Sequence, residues 1–401
     1  MQALSAVVLA AGEGTRLRPL TRHRPKPMLP GATRPILEHV LDQLVEAGIT
    51  DITLVVGHGR TRVQSHFGPT YRNVPLTYTT QETQLGTGHA LLTAEQAVDG
   101  PCLVVYGDQL VDTAIIRDVV AAHRAAADEA DAPAATLGLL ESPAAADYGG
   151  VILEEDQVVE IVERPQDDRH YLLNAGVYVL EPQAFAAVRA AKSRRGEQSL
   201  VDGLAHLLKE GDPVYGTVSE GLWVDATYPW DLLEVAVELF DADVVDGSGA
   251  NSTGDSSATV HESAVIREPV AVAPDCEIGP GAVVGPYAAL GANVTIGSNA
   301  VVERSVLDRD TRVGANATVI DCVTGVGVTI GAGSIIPGGP GDVRVGDRVF
   351  EGERLGALLA DHVTDRGGVT YCPGTIVGAD STIAAGAKVA GTLAEKTEVR
   401  S

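Results

Sequence analysis

The sequence predicts an α/β domain built on a mainly parallel mixed sheet, followed by a left-handed parallel β-helix of hexapeptide repeats. Three features of the 401 residues carry that expectation: strand and helix patterns that alternate, a glycine- and serine-rich break, and an aliphatic period of six. The alternation comes first. Ala6-Val7-Val8-Leu9 is followed by the helix-like Ile36 to Ala47, Ile52 to Val56 by Thr61 to Phe67, and Cys102 to Tyr106 by Ile115 to Ala127. Ligand loops of such sheets lie at the carboxyl ends of the strands. Asp246 to Ser257 is rich in Gly, Ser and Asn, so 246–257 reads as a linker between a first domain over 1–245 and a second over 258–401. Beyond it, Val260, Ile266, Val272, Ile278, Val284, Leu290, Ile296 and Val302 succeed one another at six-residue intervals. Neither a helix nor a strand has that period, whereas a three-sided β-helix with one inward aliphatic residue per face does. The phase slips at Leu307, runs through Val313 and Val319, resumes with Ile330 and Ile336, and returns as Tyr371, Val377, Ile383 and Val389. Residues 337–352 break it and are expected to form an inserted loop.

Composition excludes several functions. The formal charge is −25 and aromatic residues make up only 4% of the chain, so the core must be aliphatic. Nucleic acid and anionic membrane are disfavoured as partners, because both need an excess of Lys and Arg. Only five of the 29 basic residues are lysine, a balance that fits either a salt-rich cytoplasm or an acidic protein from a GC-rich genome. Cys102, Cys276, Cys322 and Cys372 lie far apart without metal-ligand spacing, so buried free thiols are expected. No Lys or Arg precedes the apolar run Ala3 to Ala11, which reads as a strand, not a signal peptide. With no stretch approaching a membrane span, a cytoplasmic protein is expected.

Directly after the first strand stands Leu9-Ala10-Ala11-Gly12-Glu13-Gly14-Thr15-Arg16-Leu17-Arg18-Pro19-Leu20-Thr21, and then Arg24-Pro25-Lys26-Pro27-Met28-Leu29-Pro30. Small residues let backbone N–H groups approach a phosphate chain, and Arg16 and Lys26 place positive charge in a strongly negative protein. A dinucleotide fingerprint would need a third Gly where Leu17 stands, and a P-loop would need Gly-Lys-Ser/Thr, so neither standard motif applies. Asp108 and Asp225 follow short apolar runs, as metal-binding carboxylates at strand ends do, although either alone would equally suit a helix N-cap.

The whole string resembles the signature of sugar-1-phosphate nucleotidylyltransferases, whose catalytic domain has a Rossmann-like fold. The resemblance covers about the first 240 residues and includes Gln81-Glu82-Thr83-Gln84-Leu85-Gly86-Thr87-Gly88-His89, Tyr106-Gly107-Asp108, Tyr148-Gly149-Gly150, Val162-Glu163-Arg164-Pro165, Asn174-Ala175-Gly176 and Trp223-Val224-Asp225. It implies in-line attack of a sugar 1-phosphate on the α-phosphorus of a nucleoside triphosphate, with pyrophosphate leaving. By resemblance, Asp108 and Asp225 hold Mg²⁺, Arg16 lies on the triphosphate and Lys26 contacts the reacting phosphates. Leu9, Ala11, Gly12, Gly14 and Thr15 frame the nucleotide, Gln81, Gly86 and Thr87 read its base, and Gly149, Glu163 and Asn174 bind the sugar. Arg164 stands where many relatives carry lysine, so its contact with the sugar phosphate has a different geometry. His89 is expected to pack or hydrogen-bond, since this chemistry needs no strong acid or base.

Gln84 to Ala90 looks most like uridylyltransferases acting on N-acetylglucosamine 1-phosphate. The Asp225 motif, with Tyr228-Pro229-Trp230-Asp231 after it, is similar to thymidylyltransferases acting on glucose 1-phosphate. A pocket distinguishes UTP from TTP through one methyl group, worth about 1–3 kcal/mol. Archaeal relatives of the first kind also acetylate an amino sugar 1-phosphate, with a His in the loop that interrupts the late repeats as base. Here Ile335 to Val345 contains no His, and loss of such a base costs roughly 10²- to 10⁴-fold. Three readings follow: a nucleotidylyltransferase with a structural, trimer-forming β-helix, which is favoured; a bifunctional enzyme that also uses acetyl-CoA; and a non-catalytic nucleotide-binding subunit, against which intact Arg16, Lys26, Asp108 and Asp225 count. Cutting the chain after Asp255 is expected to leave a soluble first domain.

Overall fold

The computed structural model describes residues 4–127, 132–192, 196–245 and 257–400. Apart from Ser257, the linker expected at 246–257 lies outside the described residues. The chain packs as two compact units: Met1–Glu13, Arg24–Met28 and Ile36–Val224 form the first, and Gly14–His23, Leu29–Pro35 and Asp225–Ser401 the second.

The first unit is organised by a ten-stranded mixed sheet. In spatial order its strands are Gly149–Glu154, Gln157–Glu163, Val214–Val218, Ala135–Leu140, Leu172–Leu180, Cys102–Tyr106, Ser5–Ala10, Ile52–Val56, Val74–Thr80 and Thr70–Tyr71. Ser5–Ala10 lies parallel between Ile52–Val56 and Cys102–Tyr106, and its burial on both faces explains why it reads as an unbroken apolar run. Leu172–Leu180 enters antiparallel to Cys102–Tyr106, which makes the sheet mixed, as expected. The helices are α1 (Ile36–Glu46), α2 (Arg60–Phe67), α3 (Thr87–Ala94), α4 (Thr113–Ala127), α5 (Pro182–Ala190) and α6 (Leu200–Glu210). In α1, Ile36, Leu37, Val40, Leu41 and Leu44 fall on one face and are buried. Among the described residues, no helix is long and apolar enough to cross a membrane.

The second unit is a parallel β-helix with three sheet faces. The first runs from Thr259–Val260 to Glu398–Val399, the second from Val265–Ile266 to Lys388–Val389, and the third from Val270–Val272 to Thr392–Leu393. Thr259 pairs with Glu277 and Glu277 with Thr295, eighteen residues per turn, so the six-residue period is one face of one coil. Thr295 then pairs with Arg312, seventeen residues on, and this shortened coil is the phase slip at Leu307. The inward aliphatic column is buried from Ile278 through Val389, while Val260, Ile266 and Val272 at the open end are only partly buried. The stretch expected as a loop at 337–352 forms a hairpin of Gly341–Val345 and Arg348–Glu353.

Two features escaped the hexapeptide reading. By register Asp365 follows Ile330 and precedes Ile383 in an otherwise aliphatic column, and it is 2% exposed. Its carboxylate accepts from the Ser334 hydroxyl at 2.8 Å, the Gly331 and Gly367 N–H groups at 3.0 and 2.7 Å, and the Tyr371 hydroxyl at 3.2 Å, so its burial is compensated. Secondly, the outward residues of the third face are also buried, among them Ala289, Val306, Val323, Leu358 and Ile376. Over Val306–Leu307 and Cys322–Thr324 that face packs against α7 (Asp231–Asp241), so α7 belongs with the β-helix. Cys102, Cys276 and Cys322 are buried free thiols as expected, whereas Cys372 is only half-buried because its place in the coil is at a corner.

Candidate active site

In the first unit the signature starts where Ser5–Ala10 ends. Leu9 and Ala11 are buried and Gly12 is exposed, with no protein atom within 4 Å of where a Gly12 Cβ would sit. The neighbouring strand ends at Tyr106, after which Gly107 donates its N–H to the Leu9 carbonyl at 2.9 Å. A Cβ on Gly107 would lie 2.8 Å from that of Ala10, so glycine permits the close turn that carries Asp108. Lys26, in the turn Lys26–Met28, places Nζ 2.7 Å from Asp108 Oδ2 and is itself buried. The structure thus brings two of the expected catalytic residues into one ion pair.

Gln81 follows Val74–Thr80 and is buried, its N–H donating to the Val56 carbonyl. Its amide Nε2 donates to the Gly86 carbonyl and to His89 Nδ1, both at 3.0 Å, which gives His89 the hydrogen-bonding role expected of it. Gly86 has φ 100°, and a Cβ there would stand 2.4 Å from the Gln198 carbonyl oxygen, so close backbone packing requires glycine. Thr87 accepts from the Leu200 N–H at 3.0 Å at the start of α6. A cavity of about 380 Å³ adjoins this segment, lined by Gly57, His58, Arg60, Thr80, Gln81 and Gln84 among others.

The expected sugar-binding residues come together through sheet register. Gly149 lies directly opposite Glu163, and a Gly149 Cβ would touch the Asn174 side chain at 3.4 Å. Asn174 is buried and its Oδ1 accepts from the Gly176 N–H at 3.2 Å, while Glu163 is exposed. Arg164 is also exposed and sits at φ 51°, its N–H held by the Tyr148 carbonyl. Tyr106 was not singled out by sequence. Burial pushes its phenol up to about 12, neighbouring Tyr178 and Thr87 hydroxyls oppose that, and the charges of Asp108 and Glu163 add to it.

Gly14, Thr15, Arg16 and Asp225 belong to the second unit. Gly14, at φ 61°, precedes the turn Thr15–Leu17 and receives the Thr21 hydroxyl on its carbonyl at 2.7 Å. Thr15 and Arg16 are exposed, and the Arg16 guanidinium lies 5.9 Å from the Tyr228 ring centroid. Asp225 accepts from the Thr227 hydroxyl at 2.5 Å. Asp231 accepts the N–H groups of Thr227 and Tyr228 at 2.8 and 2.7 Å and so holds the turn after Asp225. Burial pushes the Asp231 carboxyl up to about 7, against the pull of those two N–H groups and with the help of the Asp225 charge. The Tyr228-Pro229-Trp230-Asp231 string was visible as a motif, but its support of Arg16 was not, because it depends on ring orientation.

Comparison with known proteins draws its boundary after α7 and so includes Gly14–His23, Leu29–Pro35 and α7 of the second unit in its first match. Residues 5–241 match the nucleotidyl transferase family and residues 266–391 match the GMPPB C-terminal domain family. Over 401 aligned residues the chain is 36% identical to the "Bifunctional protein GlmU" of Methanococcus maripaludis, covering 95% of this chain and 93% of that one. It is 36% identical over 238 residues to the "UTP--glucose-1-phosphate uridylyltransferase AglF" of Haloferax volcanii, covering 59% of this chain and 96% of that one. Against other relatives bearing the GlmU name, the match spans about half of their length. A Bacillus anthracis protein assigned as a glucose-1-phosphate thymidylyltransferase superposes with a TM-score of 0.52 at 26% identity, over 58% of this chain and 94% of that one. With a family match over more than half its length, the chain belongs to the nucleotidyl transferase family.

Proposed function

We propose that the protein transfers a nucleotidyl group from a nucleoside triphosphate to a sugar 1-phosphate and releases pyrophosphate. The observation that carries this reading is the Lys26–Asp108 pair at the strand end beside Gly12, whose outer side meets no protein atom. A phosphate oxygen of the sugar 1-phosphate attacks the α-phosphorus in line, and the bond between that phosphorus and the bridging oxygen to the β-phosphate breaks. No proton has to move, so catalysis rests on alignment and charge neutralisation. Lys26 and Arg16 supply cationic charge, Gly12, Gly14 and Thr15 supply backbone N–H groups, and Glu163 and Asn174 orient the sugar. Asp108 and Asp225 offer the hard oxygen donors that Mg²⁺ takes. When bound, that ion supplies neutralisation of the triphosphate charge.

UTP is the favoured donor, in keeping with the name of the Haloferax relative, with TTP as the alternative. The acceptor is N-acetylglucosamine 1-phosphate or glucose 1-phosphate, and such soluble substrates agree with a cytoplasmic location. The match to a bifunctional protein over nearly the whole chain supports a second reading, acetyl transfer by the β-helix. The absence of His from Ile335–Val345 weighs against it. A homotrimer is supported by one outward column of the second face, in which Val265, Val283, Val301, Thr318 and Ile335 stand in register, with Val265 47% and Ile335 44% exposed. The test is pyrophosphate release in high salt with Mg²⁺, crossing UTP and TTP against the two sugar phosphates. Turnover with one pair names the substrates, and silence from folded protein across all four refutes the proposal.

A further inference from the structure

The hairpin that interrupts the β-helix carries Phe350 on its second strand. Its ring centroid lies 4.7 Å from that of Tyr228 and 5.2 Å from that of Trp230, while Tyr228 and Trp230 stack at 4.9 Å with their planes 5° apart. Arg348 extends this group through its guanidinium, 4.9 Å from the Phe350 ring. On Tyr228 rests the guanidinium of Arg16, the expected triphosphate-binding side chain. The far end of the same loop is tied as well: Arg22 Nε lies 2.8 Å from an oxygen of Glu395, in the last coil of the β-helix. All these residues belong to the second unit. Three packed rings resist reorientation far better than a solvated arginine on a loop, because each ring has only two side-chain torsions and large flat contacts.

We propose that the inserted hairpin, through Phe350, is a positioning device that holds Arg16 for nucleotidyl transfer, with the Arg22–Glu395 pair as its second anchor. Phe350 is a positioning residue and touches no reacting atom in this scheme. The β-helix thereby serves more than association. This inference rests on the assignment of Arg16 to the triphosphate.

The experiment uses the full-length protein. Wild type and Arg16→Ala are assayed first, and loss of turnover in Arg16→Ala establishes the underlying reading. Phe350→Ala is then expected to lower kcat roughly ten- to hundredfold with the KM for sugar 1-phosphate unchanged, since misplacement of a transition-state contact costs about that much. Phe350→Tyr, which keeps the ring, should restore kcat. Exchange of Arg22 and Glu395 in the double variant should recover what Arg22→Glu alone loses. In parallel, limited trypsin digestion after Arg16 and Arg22 should accelerate in Phe350→Ala at unchanged Tm. If that substitution unfolds the protein, Phe350→Leu takes its place, keeping apolar volume without the ring face. Unchanged kcat and unchanged trypsin cleavage in a folded Phe350 variant overturn the inference while leaving the proposed function intact. An active Arg16→Ala enzyme overturns both the Arg16 assignment and the inference.

Discussion

Lys26 and Asp108 show how a short-range motif becomes chemistry. A buried lysine is tolerated where a carboxylate lies 2.7 Å away. Asp108→Asn should abolish turnover while the protein stays folded, since the amide keeps the volume. Near-wild-type pyrophosphate release would remove Asp108 from the site. Gly86 was expected at the base by resemblance, and the structure adds a packing reason for glycine, the Gln198 carbonyl against its α-carbon. Gly86→Ala therefore meets both positive φ and backbone, and should cost at least about 2 kcal/mol in urea unfolding. His123 had no reading from sequence. It is buried between the Thr136 hydroxyl at 3.0 Å and Glu181 at 3.2 Å, and burial pulls its pKa below 6.5 against the opposing pull of Glu181. As pH falls below 6.5 the unfolded chain takes up a proton that the folded chain refuses, so stability declines toward acid. His123→Gln should flatten that decline between pH 6.5 and 5, and an unchanged slope of unfolding free energy against pH would exclude this histidine as its source.

At the scale of elements, periodicity predicts position well and chemistry poorly. The β-helix coils were legible because eighteen residues per turn place one aliphatic side chain on each face. The slip at Leu307 was legible too, and pairing of Thr295 with Arg312 explains it. Asp365 was not, since an acidic residue at a core position breaks the pattern and finds its four donors on its own coil and the preceding one. Asp365→Ala strands those donors in the core and should destabilise the β-helix by at least about 2 kcal/mol, seen as a lower denaturation midpoint. A midpoint equal to wild type would mean that water replaces the carboxylate. Hairpin 341–353 was foreseen as an interruption, but its pairing and the packing of Phe350 needed coordinates.

For the whole molecule, two faces of the β-helix make opposite demands. The third is covered where α7 packs on it, and Tyr287 reaches back from the β-helix to Asp241 at 2.9 Å and to the Phe240 ring at 6.2 Å. A chain cut after Asp255 keeps α7 but loses what covers Leu239 and Phe240. It should aggregate or melt earlier than the full protein, contrary to the soluble fragment that composition alone predicts. The second face leaves Val265 and Ile335 exposed, and Val301→Asp within that column should shift the sedimentation coefficient toward monomer without lowering Tm. An unchanged coefficient would place self-association elsewhere. The sequence by itself determined the family, the mainly parallel sheet and the coil period, because these follow from glycine placement, apolar runs and spacing along the chain. Tertiary structure alone decided that Lys26 meets Asp108, that Gly149, Glu163 and Asn174 share one place, and that Phe350 supports Tyr228. Each of these joins residues distant in sequence through strand register or ring packing, which no local pattern encodes.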